Sequence, residues 1–288
     1  MSWRTVVITE TSKLDYQIGY LVVRGHDTVR IHLEDIETLI IESTAVSMTA
    51  YLLSELVKNK TKVIFCDEKR NPSSELLPYY GSHDTSAKIR NQIAWTKEKK
   101  GEVWTEIVRE KIHQQAINLD QYKKIESQLL YQYIDEMEFG DETNREGHAA
   151  KVYFNALFGK KFSRKEDNSI NAALNYGYAL ILSAFSREVV SSGYITQVGL
   201  FHDNMFNQFN LACDLMEPFR PIIDDAVYLL MPEKFEIDEK HEMIKVLNKE
   251  VTINGRAEVL QNAVKIYSKS VFETLDDKGP GSLRFFER

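Results

Sequence analysis

Three side chains of the metal-binding type lie on two separated segments of the sequence. Glu146 lies on the first segment, and His202 and Glu217 delimit the second. Two carboxylates and one imidazole can hold a divalent cation and still leave positions open for phosphate oxygens. This combination therefore indicates cleavage or transfer of a phosphodiester.

Each of these residues also has a structural interpretation. A carboxylate in the first turn of a predicted helix, as at Glu146, complements the helix dipole, and Gly147 indicates that some group approaches the backbone closely there. His202 follows an apolar segment, where a hydrogen-bonded structural histidine is the alternative to a ligand. Asp214 and Glu217 are spaced to share one side of a helix. The residues alone leave both interpretations open.

The elements that must position these side chains form two regions, which predict an α+β fold. Residues 1–80 contain short stretches rich in Val, Ile, Thr and Tyr, separated by turn-forming residues, and predict a small, β-sandwich-like domain. Residues 81–288 have helical spacing and predict a larger all-α domain, with a possible hairpin at 251–255 and an irregular tail from about residue 277. We predict strands at 3–9, 17–23, 29–33, 38–41 and 62–66, a loop at 71–78, and helices at 47–58, 86–100, 102–119, 121–138, 144–158, 168–188 and 256–276.

Composition limits the class of protein. The chain has 288 residues, 43% hydrophobic and 27% charged, which is typical of a soluble globular protein. No apolar run reaches the roughly 18 residues of a membrane span, and no signal-peptide pattern is visible. Cys66 and Cys213 form no paired motif, so we expect neither disulfides nor a zinc knuckle, and a reducing cytoplasm is the expected location.

The charge distribution allows two interpretations. A net charge of −7 argues against coating of nucleic acid by bulk electrostatics. Residues 145–166 nevertheless contain six Lys or Arg against two Glu. This segment is either ordinary solvated surface or a basic DNA-binding track, with the candidates Lys151, Lys160, Lys161, Arg164 and Lys165.

Four ordered motifs resemble the CRISPR-associated spacer-acquisition integrases, the Cas-one family. A Glu-Gly pair opens a helix, and an Asn-x-x-Leu-x-Tyr-Gly-Tyr motif, a Gly-Leu-Phe-His motif and an Asp-x-x-Glu-Pro-Phe-Arg-Pro motif follow in that order. They occupy Glu146-Gly147, Asn171 to Tyr178, Gly199 to His202 and Asp214 to Pro221. The residues after Gly147, the His-Asp-Asn motif at 202–204 and a Glu at 217 resemble the type II-A branch.

The resemblance implies a function and a set of ligands. Glu146, His202 and Glu217 would bind Mg²⁺ or Mn²⁺ and catalyse attack of a DNA 3′-hydroxyl on a phosphodiester at the ends of a CRISPR repeat, with Asp214 nearby as a possible ligand. The implied partners are the protospacer fragment and the leader-repeat DNA, a second copy bound through the β domain, and a Cas-two dimer in a 4:2 complex. A type II-A effector nuclease and a ring-shaped accessory protein are further implied partners, in a prokaryotic cytoplasm.

Two alternatives remain. The same site in a nuclease would hydrolyse branched or single-stranded DNA with water as the nucleophile, and would yield shortened rather than joined strands. A non-catalytic DNA-binding assembly subunit would show no dependence of activity on a metal ion.

Overall fold

The computed structural model describes residues 4–79, 82–277 and 283–288. The predicted domain boundary after residue 80 lies outside the described residues. A β-rich region is followed by a mostly helical one, which confirms the predicted α+β class.

Two four-stranded sheets form the β-rich region. Their elements are β1 (Arg4–Ile8), β2 (Ser12–Gln17), β3 (Tyr20–Arg24), β4 (Thr28–His32), β5 (Ile36–Ile41), β6 (Val46–Met48), the helix α1 (Ala50–Lys58), β7 (Lys62–Cys66) and β8 (Pro72–Leu76). The first sheet has the order β1-β5-β7-β8, in which β1, β5 and β7 are parallel and β8 is antiparallel to β7. The second sheet has the order β4-β3-β2-β6.

The first sheet contributes to two hydrophobic cores because side chains alternate along its strands. Leu39 and Val63 point into a small core shared with the second sheet and α1. Their neighbours Ile40 and Ile64 point the other way, into the large core of the helical region. The first sheet therefore lies between the two cores.

The helical region is arranged around two long helices, α3 and α6. The helices are α2 (Thr85–Ala94), α3 (Lys97–Gln121), α4 (Ser127–Asp135), α5 (Arg145–Phe158), α6 (Ser169–Ser191), α7 (Asn210–Met216), α8 (Arg220–Leu230), α9 (Ile237–Lys245) and α10 (Leu260–Leu275). Helix α6 has buried residues on all sides, as expected for a helix with so few polar residues. Helix α3 packs against α4, α5, the 3-10 turn Glu217–Phe219 and α8, and so lies close to the segments that carry Glu146 and Glu217.

A third sheet means that the helical region is not all-α. It has the order β10-β9-β11, formed by β9 (Glu250–Ile253), β10 (Arg256–Val259) and β11 (Phe286–Glu287). The predicted hairpin is confirmed as β9 and β10. Residues 278–282 of the tail expected to be irregular lie outside the described residues. The end of the tail is not irregular: β11 pairs with β9 and places Phe286 against Phe219 in the core at a ring distance of 4.7 Å.

Several predicted element boundaries were wrong. The strand predicted at 17–23 is the turn and second arm of a hairpin, and the loop predicted at 71–78 contains β8. The predicted break between two helices falls at Thr96 rather than at Gly101, because the Thr96 side chain accepts a hydrogen bond from Lys99 N and caps α3. The helix predicted from 256 begins at Leu260, since the preceding residues form β10.

Candidate active site

Glu146 lies in the first turn of α5, in a network of caps. The Asp141 carboxylate accepts hydrogen bonds from Arg145 N at 2.7 Å and from Glu146 N at 3.1 Å. The Asn144 side chain accepts from Gly147 N at 3.3 Å, so close to the helix that a Cβ on Gly147 would lie 2.7 Å from its Oδ1. The close approach predicted at Gly147 is thus made by the capping side chain. These caps fix the backbone from which the Glu146 carboxylate projects.

Glu217 lies at the break between α7 and α8. Helix α7 ends at Met216, one 3-10 turn covers Glu217–Phe219, and α8 begins at Arg220. Proline is tolerated in the first turn of a helix because its missing N–H has no partner there, so Pro218 lets a new turn begin at this point. As a result, Glu217 and Arg220 leave the same short turn, and Arg220 Nε donates to Glu217 Oε1 at 2.9 Å.

Lys111 joins the two predicted carboxylate ligands. Its Nζ donates to Glu146 Oε1 at 2.5 Å and to Glu217 Oε2 at 2.5 Å. Because both oxygens contact the same nitrogen, they lie within a few ångström of each other. Folding therefore brings together two carboxylates that are about seventy positions apart in the chain.

Asp214 holds His202 in a fixed orientation. Its Oδ2 accepts from Leu200 N at 2.6 Å and from Phe201 N at 3.1 Å, while Oδ1 accepts from His202 N at 3.1 Å and contacts His202 Nδ1 at 2.5 Å. The side chain is fully buried. The contact assigns a proton to Nδ1 and leaves Nε2 as the nitrogen available to a cation. In the structure Asp214 orients His202, whereas the sequence suggested Asp214 as a possible metal ligand.

The segment around His202 is packed as well as hydrogen-bonded. Phe201 stacks on Trp104 of α3 with ring centroids 4.6 Å apart, and the His202 ring meets Trp104 edge-on at 5.9 Å. At Gly199 a Cβ would lie 2.4 Å from His202 O and 2.7 Å from Asp214 Oδ2, so the glycine allows the segment to close around the carboxylate. The Gly-Leu-Phe-His motif therefore has a local structural cause.

In this site, the attraction between opposite charges outweighs the effect of burial on the pKa values of Lys111 and Glu217. Burial alone would lower the pKa of Lys111, but the attraction of Glu217 and Glu146 raises it. Burial alone would raise the pKa of Glu217, but Arg220, Lys111 and His202 lower it. The hydrogen bond that His202 Nδ1 donates to Asp214 raises the pKa of His202, and the nearby Glu217 and Glu146 add to this effect.

A cavity of about 250 Å³ adjoins the carboxylates. Its lining includes Lys111, Glu217, Arg220, Arg164 and Tyr178. The guanidinium groups of Arg220 and Arg164 lie 4.6 and 5.5 Å from the centre of the Tyr178 ring. The cavity thus combines positive charge with an aromatic face, a pairing suited to phosphate and to nucleobases.

The side chains of Glu146, Glu217 and His202 are of the types that bind a divalent cation, although the Lys111 ammonium now contacts both carboxylates. Among residues 4–79, 82–277 and 283–288, no group of three or more His, Cys, Asp or Glu side chains has the geometry of a metal site. Two hard carboxylates, one imidazole with a free nitrogen and no thiolate suit Mg²⁺ or Mn²⁺ better than Zn²⁺.

Sequence reasoning missed two residues of the site. Lys111 lies on the buried side of α3 near Ile107, Val108 and Ile112, so a cation on an apolar helix face was the available signal. Arg220 follows Glu217 by three positions, a spacing that permits an ion pair.

The predicted DNA-binding residues fall into two groups. Lys151, Lys160, Lys161 and Lys165 are exposed. Arg164 instead points inward: it donates to the side chains of Asn171 and Asn175, the latter at 2.7 Å, and lines the cavity.

Comparison with known proteins places the chain in a family. A region of 260 residues, 88% of this chain and 86% of the relative, is 36% identical to the CRISPR-associated endonuclease Cas1 of Neisseria meningitidis serogroup C (strain 8013). A solved casposase bound to integration product has the same fold, with a TM-score of 0.79, 19% identity and coverage of 97% of this chain and 92% of that chain. A chain of a partial Cas6-RT-Cas1–Cas2 complex matches with a TM-score of 0.66, 16% identity and 97% coverage of both chains.

The fold and the site define an α+β protein with a carboxylate–imidazole centre in its helical region. The family model of CRISPR associated protein Cas1 matches residues 5–263, and the chain belongs to that family. Assignment to the type II-A branch stays a prediction. No helix in the described part of the chain is long and apolar enough to cross a membrane.

Proposed function

We propose that this Cas1 protein catalyses the DNA strand transfer that inserts new spacers into a CRISPR array. The observation that carries the proposal is the convergence of Glu146 and Glu217 on one cation beside the imidazole held by Asp214. The relative from Neisseria meningitidis is named an endonuclease, and the solved casposase is bound to an integration product. Both names describe proteins that act on DNA phosphodiesters.

The reaction exchanges one phosphodiester for another. The 3′-hydroxyl of the incoming fragment attacks phosphorus at the edge of a repeat, a new P–O bond forms, and the bond to the old 3′-oxygen breaks. The attacking hydroxyl loses its proton, and the leaving oxygen gains one. Because one ester is lost and one formed, no ATP is required.

The residues have distinct roles in this proposal. Glu146, Glu217 and His202 Nε2 would hold Mg²⁺ or Mn²⁺, which supplies polarisation of the phosphate and stabilisation of charge on the reacting oxygens. Asp214 fixes the His202 ring. Arg220 lines the adjoining cavity and can hold phosphate oxygens in position.

The assembly proposed is also that of the family. We propose that the protein forms a homodimer through its β-rich region and joins a Cas2 dimer in a 4:2 complex; one solved structure of the same fold is a Cas1–Cas2 complex. The exposed Lys151, Lys160, Lys161 and Lys165 would contact the DNA backbone, and the effector nuclease and ring-shaped protein are further proposed partners. The local excess of Lys and Arg in residues 145–166 makes such a track compatible with DNA binding despite the net charge of −7.

An integration assay with a labelled fragment, leader-repeat DNA and the Cas2 partner tests the function. Glu146→Ala should abolish strand joining, whereas Glu142→Ala, an exposed glutamate just before α5, should leave it unchanged. Integration by Glu146→Ala at the wild-type rate would contradict the assignment. Metal dependence of joining excludes the alternative of a non-catalytic subunit.

A hydrolytic nuclease is the second candidate, favoured by the word endonuclease in the name of the Neisseria relative. A fragment that ends in a 3′-deoxynucleotide separates the two functions. It cannot be joined, but a hydrolytic nuclease would still cut the target. Cutting that persists at full rate with the blocked fragment would make hydrolysis the main activity.

A further inference from the structure

Lys111 occupies the point on which the two carboxylates converge. Its Nζ lies 2.5 Å from Glu146 Oε1 and 2.5 Å from Glu217 Oε2. The residue comes from the middle of α3 and is 8% exposed, so water solvates its ammonium poorly. A buried ammonium needs charged partners, and here those partners are the two carboxylates proposed to hold the metal.

The ammonium and a divalent ion cannot occupy this point together. Carboxylate oxygens bind Mg²⁺ at about 2.0–2.1 Å, so an ion bound to the same two oxygens on the side where Nζ now lies would overlap this nitrogen, which is 2.5 Å from each of them. Charge leads to the same conclusion. The two carboxylates are already balanced by Lys111 and Arg220, so a dication added without any displacement would leave excess positive charge in a buried site.

The molecule provides space for a displaced ammonium. The cavity of about 250 Å³ is lined by Lys111 itself and also by Tyr178, Arg164, Arg220 and Asp224. A lysine has a flexible four-carbon stem, so rotation of its side chain moves the ammonium without moving α3. Asp224 offers a carboxylate to the displaced ammonium, and a phosphate entering the cavity would offer its oxygens.

We propose that Lys111 is the resident cation of the metal-free site and that a divalent ion displaces it into the adjoining cavity, where it contacts the DNA phosphate. The proposal rests on the proposed function in placing the metal at Glu146 and Glu217. Until the ion arrives, Lys111 holds these two like charges together. It thereby keeps the site assembled but weakens metal binding, because the ion must break two buried ion pairs. DNA should strengthen metal binding, because its phosphate gives the ammonium a new partner.

Calorimetric titration of Mn²⁺ into the full-length, DNA-free protein tests the competition. Lys111→Met keeps most of the side-chain volume and removes the charge, so its Kd for Mn²⁺ should fall by at least about tenfold relative to the wild type. Arg109→Met is the matched control. Arg109 is on the same helix, about 200° away around the axis, and pairs with Glu106 at 2.9 Å on the surface. The Arg109→Met substitution removes the same charge and should leave the Kd for Mn²⁺ unchanged.

Two outcomes would overturn the proposal. One is an unchanged or weaker Mn²⁺ affinity in Lys111→Met; the other is an equal gain in Arg109→Met, which would show only a general effect of net charge. A glutamate control identifies the site, since Glu217→Ala must lose Mn²⁺ binding. Failure of the proposed function is a separate result: Glu146→Ala could keep integrating DNA while Lys111→Met still binds Mn²⁺ more tightly.

A measurement on the wild type covers the case in which Lys111→Met does not fold. The rate at which a small amine-reactive reagent labels Lys111, followed by peptide mass spectrometry, reports how firmly the ammonium is held by its partners. Mn²⁺ should increase the labelling of Lys111 several-fold and leave that of exposed Lys265 unchanged. Equal labelling of Lys111 with and without Mn²⁺ would contradict displacement.

Discussion

Two buried clusters of charged side chains in this protein differ in how their carboxylates are arranged. In the site cluster, which consists of Lys111, Arg220, Glu146 and Glu217, two carboxylates converge on one nitrogen. Two carboxylates this close repel each other, and a cation between them offsets the repulsion. The arrangement of the two carboxylates therefore favours binding of a cation between them.

The junction cluster connects the first sheet to α6 through ion pairs in which each nitrogen contacts one carboxylate. Lys62 of β7 pairs with Glu75 of β8, which also accepts from Ser183 Oγ at 3.0 Å. In the same cluster, Arg187 of α6 contacts two different carboxylates, those of Glu37 and Glu188. These two carboxylates contact different nitrogens of Arg187, so the junction cluster connects elements without forming a cation site. Convergence, rather than burial or charge alone, distinguishes a candidate active site from a structural ion network.

The largest expected effect concerns activity and separates the clusters directly. Glu217→Ala should reduce the strand-transfer rate by about a thousandfold, because transition-state charge loses its electrostatic stabilisation. Glu75→Gln in the junction cluster should keep the wild-type rate per folded molecule. Integration rates with defined DNA, corrected for the folded fraction by circular dichroism, measure both. Equal losses in the two variants would remove the distinction.

The junction cluster should instead affect the pH dependence of stability. Burial lowers the pKa of Lys62 to about 8, against the attraction of Glu75. The unfolded chain, with the ordinary pKa of 10.5, then binds more protons between pH 8 and 10.5, so the stability of the fold rises with pH in this window. The difference in free energy of unfolding between wild type and Lys62→Met should change by about 3 kcal/mol in favour of the wild type.

Chemical denaturation at pH 7 and pH 10.5 measures this difference. Lys58→Met, which removes an exposed lysine paired with Glu55, is the control and should show no such change. A constant difference between wild type and Lys62→Met would mean that the buried lysine is not destabilised in its charged form.

A smaller effect is expected where the site cluster is supported from outside. Asp214→Asn removes the negative charge and replaces one of the two acceptor oxygens that orient His202, so Mn²⁺ affinity should fall by about 10–100-fold. Calorimetric titration gives the Kd, and the thermal unfolding temperature shows whether the segment from Leu200 to His202 remains packed. Unchanged affinity would indicate that Asp214 serves the backbone of this segment alone.

The smallest effect concerns the exposed lysines, which belong to neither cluster. Replacing Lys160, Lys161 and Lys165 together by Gln should weaken DNA binding and reduce the slope of log affinity against log salt by about two to three units. Arg164 is left intact because its guanidinium already donates to the side chains of Asn171 and Asn175. A salt titration by fluorescence anisotropy measures the slope, and an unchanged value would make these residues ordinary surface.

Much of the architecture follows from local sequence. The Val and Ile content of β5 and β7, the nearly continuous apolar character of α6 and the break around Val251 to Gly255 were sufficient to predict strands, a central helix and a hairpin. β8 was missed because its residues, Pro-Ser-Ser-Glu-Leu, have little β propensity, and pairing with β7 imposes the strand.

The candidate site divides in the same way. By type and motif alone, the sequence determined Glu146, His202 and Glu217 as candidates, because carboxylate and imidazole chemistry is a property of each residue. Only the tertiary structure decided that Lys111 of α3 lies between the two carboxylates, that Asp214 holds the imidazole and that Arg164 faces inward. These relations depend on contacts between residues far apart in the chain, and no local pattern records which long-range partners a buried charge will meet.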